Sequence, residues 1–220
     1  MIVKNCRANE YFKDAKVGEA MNAIDRVYFC KYKNEAYLDL PSSLDFGATI
    51  SAPHMHAYAL QILFADRESD RGVKKFLDVG SGSDYLCAAA LAMMDYQGTV
   101  VGIEHIEELA NWSKQNLETV FGPEYEKYIK IICADGRLGE HREAPFDAIH
   151  VGAASPKIPE KLLEQLAPNG RMMVPVDEGE HIQHIVLCVK DEKGNTTFTK
   201  LLGVRYVPLT SREKQLSGKH

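Results

Sequence analysis

The segment Leu77-Asp-Val-Gly-Ser-Gly-Ser-Asp84 carries the clearest chemical pattern in the chain. A strand that turns directly into a helix needs residues without a Cβ where the backbone bends or a ligand approaches, and Gly80 and Gly82 meet that need. In an open α/β sheet, ligands bind beyond the carboxyl ends of the strands, which is where this turn falls. Acids stand at the ends of the next two strands. Glu104, in Gly102-Ile-Glu104-His105, can accept hydrogen bonds from both hydroxyls of a ribose. Asp135, in Ala134-Asp135-Gly136, can meet an adenine amino group or merely cap a turn. Together these features point to an adenosine-containing ligand. The dinucleotide fingerprint requires a third glycine where this chain has Tyr85, so NAD is disfavoured.

Other polar residues read more plainly. Ser51 can act as a helix N-cap, with Pro53 in the first turn. His54 and His56 lack a neighbouring Cys or an H-E-x-x-H pattern, so no metal is expected. His181 and His184 fall in an acidic, polar stretch and are expected to be solvated, while Trp112 reads as helix packing. The five cysteines are scattered and never spaced C-x-x-C, which predicts reduced thiols and neither a disulfide framework nor a zinc knuckle.

The positioning elements alternate. Asp14 can cap a helix through Ile24, with Val17, Ala20, Met21 and Ile24 on one face. Pro41 and Ser42-Ser43 then break the pattern, so residues 1–50 are expected to be helical and then irregular. Beyond Ser51, the residues Met55, Tyr58, Ala59, Ile62 and Leu63 form an apolar stripe. Strands are predicted at 75–79, 99–103, 128–133, 146–151 and 171–176, with helices at 85–94, 106–121 and 159–166. This rhythm implies a doubly wound, mainly parallel α/β sheet with helices on both faces. Two further strands, 184–189 and 197–204, are joined by a loop containing glycine and predict an antiparallel addition at the sheet edge.

The 220 residues fit one domain, 1–220, with residues 1–50 as an N-terminal helical extension packed on it. Hydrophobic residues make up 45% and charged residues 26%, which is ordinary for a soluble protein. No apolar run reaches the roughly 20 residues needed to span a bilayer. The N-terminus soon becomes charged and lacks a secretory h-region, so the cytoplasm is expected. A net charge of −5 with dispersed basic residues argues against a nucleic-acid partner. A monomer without a membrane partner is the expectation.

Ala48-Thr-Ile-Ser-Ala-Pro-His-Met-His-Ala57 resembles the signature segment of protein-L-isoaspartate (D-aspartate) O-methyltransferases. The resemblance continues through Leu77–Ser83, Asp135-Gly136-Arg137, Ala144–Ala153 and Tyr206–Thr210, in the family's order and over roughly residues 10–216. It implies a Rossmann-like methyltransferase fold, S-adenosyl-L-methionine as methyl donor and S-adenosyl-L-homocysteine as product. The implied acceptor is the free carboxylate of L-isoaspartyl, and more weakly D-aspartyl, residues in damaged proteins. The methyl ester then collapses to a succinimide, and repair begins. By the same resemblance Ser51 is the active-site serine. Ala48, Thr49, Ile50, Ser51 and His56 belong to the segment closing over donor and acceptor. Gly80, Gly82 and Ser83 form the donor turn, and Glu104 and His105 the ribose end. Asp135 and Gly136 mark the adenine end, with Thr210 and Gln215 near the donor.

Two positions depart from the family's pattern: Asp84 replaces the usual glycine, and Glu104 the common aspartate. Asp84 is expected to place bulk and negative charge beside the donor's amino-acid end. The implied chemistry needs no general base, because a carboxylate is already ionised at neutral pH. Alignment and exclusion of water are what the site must supply, and Ser51 is expected to position the acceptor. Competing readings are a methyltransferase of the same fold acting on a small molecule, and a module impaired by Asp84 that binds damaged protein without turnover. An NAD-dependent oxidoreductase is a further alternative.

Overall fold

The computed structural model describes residues 3, 6, 11–65, 72–179 and 182–218. His181 lies outside the described residues. Asp14 caps α1 (Ala15–Ala23) by accepting from the Lys16 N–H at 2.8 Å, and Val17, Ala20, Met21 and Ile24 are buried as their spacing predicts. The segment expected to be irregular is partly ordered. β1 (Ser42–Asp45) and β2 (Ala48–Ile50) pair as a small antiparallel hairpin, turning through Asp45, Phe46 and Gly47, all at positive φ. Two short strands around such a turn leave little periodicity for a sequence reading to detect.

The helix after this hairpin, α2 (Pro53–Leu60), departs from expectation twice. Its N-cap is Ala52, not Ser51, so the serine hydroxyl is not used as a cap. The helix also runs on into a π-turn over Gln61–Ala65, which shifts the side-chain phase. The buried face therefore carries His56, Ala57, Ala59, Leu60 and Leu63, while Met55, Tyr58 and Ile62 are only half-buried. Gln61 is buried, and its Oε1 accepts from the backbone N–H of Lys13 and Asp14 at 2.8 and 3.0 Å, tying the start of α1 to α2.

The rest follows the predicted alternation: β3 (Lys75–Val79), α3 (Tyr85–Met93), β4 (Thr99–Glu104), α4 (Glu107–Phe121), β5 (Ile129–Cys133), β6 (Phe146–Val151), α5 (Glu160–Glu164), β7 (Leu166–Asp177), β8 (Gln183–Lys190), β9 (Thr196–Val204) and α6 (Arg212–Leu216). The seven-stranded sheet has the order β5-β4-β3-β6-β7-β8-β9, parallel through β7 and antiparallel at β8 and β9. Strand residues alternate between two cores. Phe76, Val100 and Ala148 face the α1–α4 side, while Leu77, Val79, Val101 and Ile149 face the side covered by α5. Apolar residues on both faces are what a parallel sheet under two helical layers requires. Each fully buried Leu or Ile contributes about 2 kcal/mol. Pro168-Asn-Gly170 does not end the chain's extended course. It forms a bulge inside β7, with three extra residues between the pairs Phe146–Leu166 and Ala148–Arg171 and Asn169 at φ +61°.

Asp84 sits where α3 begins, at φ +66°, a left-handed conformation that Asp tolerates better than most residues. Its side chain does not stand beside the cavities at the sheet's rim. It is fully buried behind the glycine turn, over β4, where a Cβ on Gly102 would come within 2.7 Å of its Oδ1. Neither carboxyl oxygen finds hydrogen-bond geometry. Burial raises its pKa to about 7, partly opposed by the Ser113 and Ser81 hydroxyls.

The sign of the consequence is fixed. The pH-dependent cost is absent while the carboxyl is protonated in both folded and unfolded chains. Stability is then lost as pH rises from the unfolded value of 3.8 through about 7. Asp84→Asn is therefore expected to stabilise the protein by about 4 kcal/mol more at pH 8 than at pH 3. Urea melts of the two proteins at both pH values check this, and an equal difference at both would refute it.

Candidate functional site

Three cavities adjoin one another around residues 48–51, two of them at the carboxyl ends of the parallel strands. The first, a cleft of about 550 Å³ counting its open mouth, is lined by Ala48, Thr49, Gly80, Gly82, Glu104, His105, Gly136, Thr210 and Gln215. The second, an inner cavity of about 350 Å³, holds Ile50, Ser51, His56 and Ser83 beside Asp78, Tyr85 and His150. The third is a groove of about 1170 Å³ between Tyr11, Pro41, Met55 and Tyr58 on one side and Leu202–Tyr206 on the other. Thr49 lines all three, and Ser51 lines the inner cavity and the groove. The short run 48–51 is thus the wall that separates them.

The floor is pinned by Glu104. Its Oε1 accepts from the Ile106 N–H at 2.8 Å and its Oε2 from the Gly82 N–H at 3.2 Å. Burial raises its pKa, and these N–H donors oppose the rise. The glycine turn is also held by the Ile103 carbonyl, which accepts from the Gly80 and Ser81 N–H groups at 2.8 and 3.1 Å. Gly136 keeps the cleft open: a Cβ there would meet Val79 Cγ1 at 2.7 Å.

The roof comes from distant parts of the chain. Gln215 accepts at Oε1 from His105 Nε2 at 2.9 Å and donates from Nε2 to the Phe46 carbonyl at 3.0 Å, so α6 clasps the hairpin tip to the end of β4. Val207–Leu209 is laid along the end of β6, with Ala154 N–H donating to the Val207 carbonyl at 2.8 Å and Leu209 N–H to the Ala154 carbonyl at 2.7 Å.

Of the residues that the resemblance assigns to the site, all but Asp135 line the cleft or the inner cavity. Asp135 lines neither cleft nor inner cavity; its carboxylate is occupied by a bidentate pair with Arg137 at 2.6–3.1 Å and by the Arg137 N–H, which lowers its pKa. Turn capping, the simpler alternative, describes what its side chain does. His54 is paired with Asp39 at 2.8 Å and stacked on Tyr11. Among the described residues no group of three His, Cys, Asp or Glu could hold a metal ion.

Several residues of the site were not anticipated. Asp78 and His150 face each other in register on β3 and β6, buried, with Asp78 Oδ1 2.7 Å from His150 Nδ1. A charged residue inside an otherwise apolar strand was the available signal, since such a group needs a partner. Tyr206 lines the groove with Ser51; burial pushes its pKa up to about 12, and the Ser51 hydroxyl opposes the rise. Arg26 donates from Nη2 to the Ser51 carbonyl at 2.7 Å and meets His56 Nδ1 at 3.1 Å from Nη1.

The cleft fits a nucleoside with an amino-acid tail. It offers a buried acid for paired hydroxyls and a main-chain cradle at the glycine turn, and it shares Thr49, Gly80 and Gly82 with the inner cavity that holds Ser51. Residues 1–214 match the family model for protein-L-isoaspartate(D-aspartate) O-methyltransferase. The chain is 42% identical over 219 residues to protein-L-isoaspartate O-methyltransferase 1 of Arabidopsis thaliana, covering 99% of this chain and 93% of that one. It is 44% identical to the protein-L-isoaspartate O-methyltransferase of Triticum aestivum, with 97% and 94% covered. A Plasmodium falciparum structure described as a beta-aspartate methyltransferase, in complex with S-adenosyl-L-homocysteine, superposes with a TM-score of 0.82 at 30% identity, covering 95% of this chain and 96% of that one. The chain therefore belongs to the protein-L-isoaspartate(D-aspartate) O-methyltransferase family.

Proposed function

We propose that this protein methylates the free carboxylate of L-isoaspartyl residues, and more weakly of D-aspartyl residues, in damaged proteins, with S-adenosyl-L-methionine as donor. The ester closes to a succinimide that can reopen to normal aspartate. The observation carrying this reading is the Thr49–Ser51 wall, which stands between a cleft suited to a nucleoside and a groove of about 1170 Å³ counting its open mouth.

The donor, when bound, supplies a methyl carbon made electrophilic by its sulfonium. In this reading Glu104 and His105 hold the ribose, Gly136 and the turn after Asp135 meet the adenine end, and Gly80, Gly82 and Ser83 cradle the amino-acid end. Ala48, Thr49 and Ile50 with Thr210 and Gln215 cover them. Ser51, which lines both the inner cavity and the groove, holds the acceptor carboxylate. No proton need be removed, because that carboxylate is ionised. The enzyme's contribution is alignment and the stripping of water from the nucleophile. Asp84 faces neither cavity, which argues against an impaired module.

The same reading takes residues 1–220 as one domain acting as a cytoplasmic monomer, without nucleic-acid or lipid partners. The net charge of −5 supports this, and among the described residues no helix is long and apolar enough to cross a membrane. Sedimentation of the purified protein at assay concentration should give a species near 24.6 kDa; a stable dimer would contradict the monomer.

The decisive measurement is transfer of labelled methyl to an isoaspartyl peptide beside its normal aspartyl twin. Label is expected on the first only, and equal or absent labelling would overturn the reading. Ser51→Ala should lower kcat about ten- to a hundredfold while donor affinity stays within about threefold, since it removes alignment of the acceptor. Glu104→Gln should weaken S-adenosyl-L-homocysteine binding about ten- to a hundredfold by calorimetry, the worth of a charge-assisted hydrogen bond. Asp84→Gly should leave that affinity within about twofold, on the tenfold-per-1.4 kcal/mol scale.

A further inference from the structure

Arg26 opens the short turn Arg26–Phe29 and is only 4% exposed. A guanidinium taken out of water normally pairs with an acid. Among the described residues Arg26 forms no such pair. Its contacts are the Ser51 carbonyl at 2.7 Å, His56 Nδ1 at 3.1 Å and the face of the Tyr85 ring at 5.3 Å, and its Nε finds no partner. Burial works against its charge. A buried donor left unmatched costs about 1–3 kcal/mol, so the arrangement is not explained by stability.

The contact with His56 fixes a proton. Arginine carries donors only, so Nδ1 of His56 must present its lone pair and the ring proton must sit on Nε2. A second proton is opposed first by burial, then by the positive charge of Arg26, with His150 from β6 and His54 from α2 acting in the same direction; Tyr85 of α3 covers the ring at 5.0 Å. His56 lines the inner cavity beside Ser51, and Nε2–H is the donor its ring has left.

We propose that Arg26 is a positioning residue for methyl transfer: it holds the Ser51 main chain in place and keeps His56 a neutral Nε2–H donor toward the inner cavity. This rests on reading that cavity as the place of transfer. The charge state matters because the acceptor's negative charge disappears as its oxygen bonds to carbon. A cationic imidazole would stabilise the carboxylate before reaction more than during it, whereas a neutral donor orients it with less penalty.

The test combines histidine-ring 1H–15N spectra with kcat and KM against pH for the parent, Arg26→Met and Arg26→Lys. In the parent, His56 should show one tautomer, Nε2–H, without titrating between about pH 6 and 8. In Arg26→Met the ring should begin to titrate in that range. Its kcat should fall about tenfold or more and gain an acid limb, with KM for S-adenosyl-L-methionine moving less than about threefold. Arg26→Lys keeps a cation beside His56 but can serve only one of the two acceptors. Its kcat should fall without an acid limb. An Nδ1–H tautomer in the parent overturns the proposal, as does full kcat in folded Arg26→Met. So does a lowered kcat with His56 signals and pH profile unchanged, which would mark a merely structural role. If Arg26→Met does not fold, the parent spectrum decides alone: Nε2–H supports the proposal and a titrating or Nδ1–H ring refutes it. A parent that fails to label the isoaspartyl peptide defeats the proposed function, whatever the spectra show.

Discussion

One carboxylate determines where everything else can stand. Glu104 joins the glycine turn to the first turn of α4 by accepting from the Gly82 and Ile106 N–H groups, while the Ile103 carbonyl just before it takes the N–H groups of Gly80 and Ser81. The bend after β3, the end of β4 and the start of α4 are thereby one rigid unit. Glu104 is itself buried, so its bonds to these N–H groups are not traded freely with water. A ligand entering the cleft meets an acid already oriented and needs to reorganise little, which is what pre-organisation means in energetic terms.

Above this floor the site is assembled from parts far apart in the chain. The hairpin β1–β2, the strip 207–209 and the side chain of Gln215 converge on the sheet's carboxyl edge. The methyl transfer proposed for the protein requires little proton chemistry and much geometry. The structure is consistent with that division, placing main-chain bonds and buried pairs such as Asp78–His150 around the cavity.

The repeating part of the fold was legible in the sequence because burial on both faces of a parallel sheet writes continuous apolar runs, and β3 and β6 match their predicted limits. Legibility failed where the chain departs from a simple period. The β1–β2 hairpin is too short to show alternation, the π-turn after α2 shifts the phase of its apolar face, and Pro168-Asn-Gly170 reads as a stop although β7 absorbs it as a bulge. Among the residues of the candidate site, those at strand ends, the glycine turn, Glu104 and His105, line the cleft where local chemistry placed them. The partners Arg26, Tyr206 and the Asp78–His150 pair depend on which strands and turns become neighbours, and no single-chain period encodes that. Asp135 shows the same limit from the other side. It stands at the end of β5 as read from the sequence, but two residues on, Arg137 claims its side chain.

The wall at Thr49–Ser51 has a kinetic consequence. The nucleoside cleft and the groove share only Thr49 among their lining residues, so each occupant has a seat of its own. Geometry then imposes no compulsory order of release. A long polypeptide can stay seated while spent donor is exchanged for fresh, and two lesions close together on one chain can be treated within a single encounter.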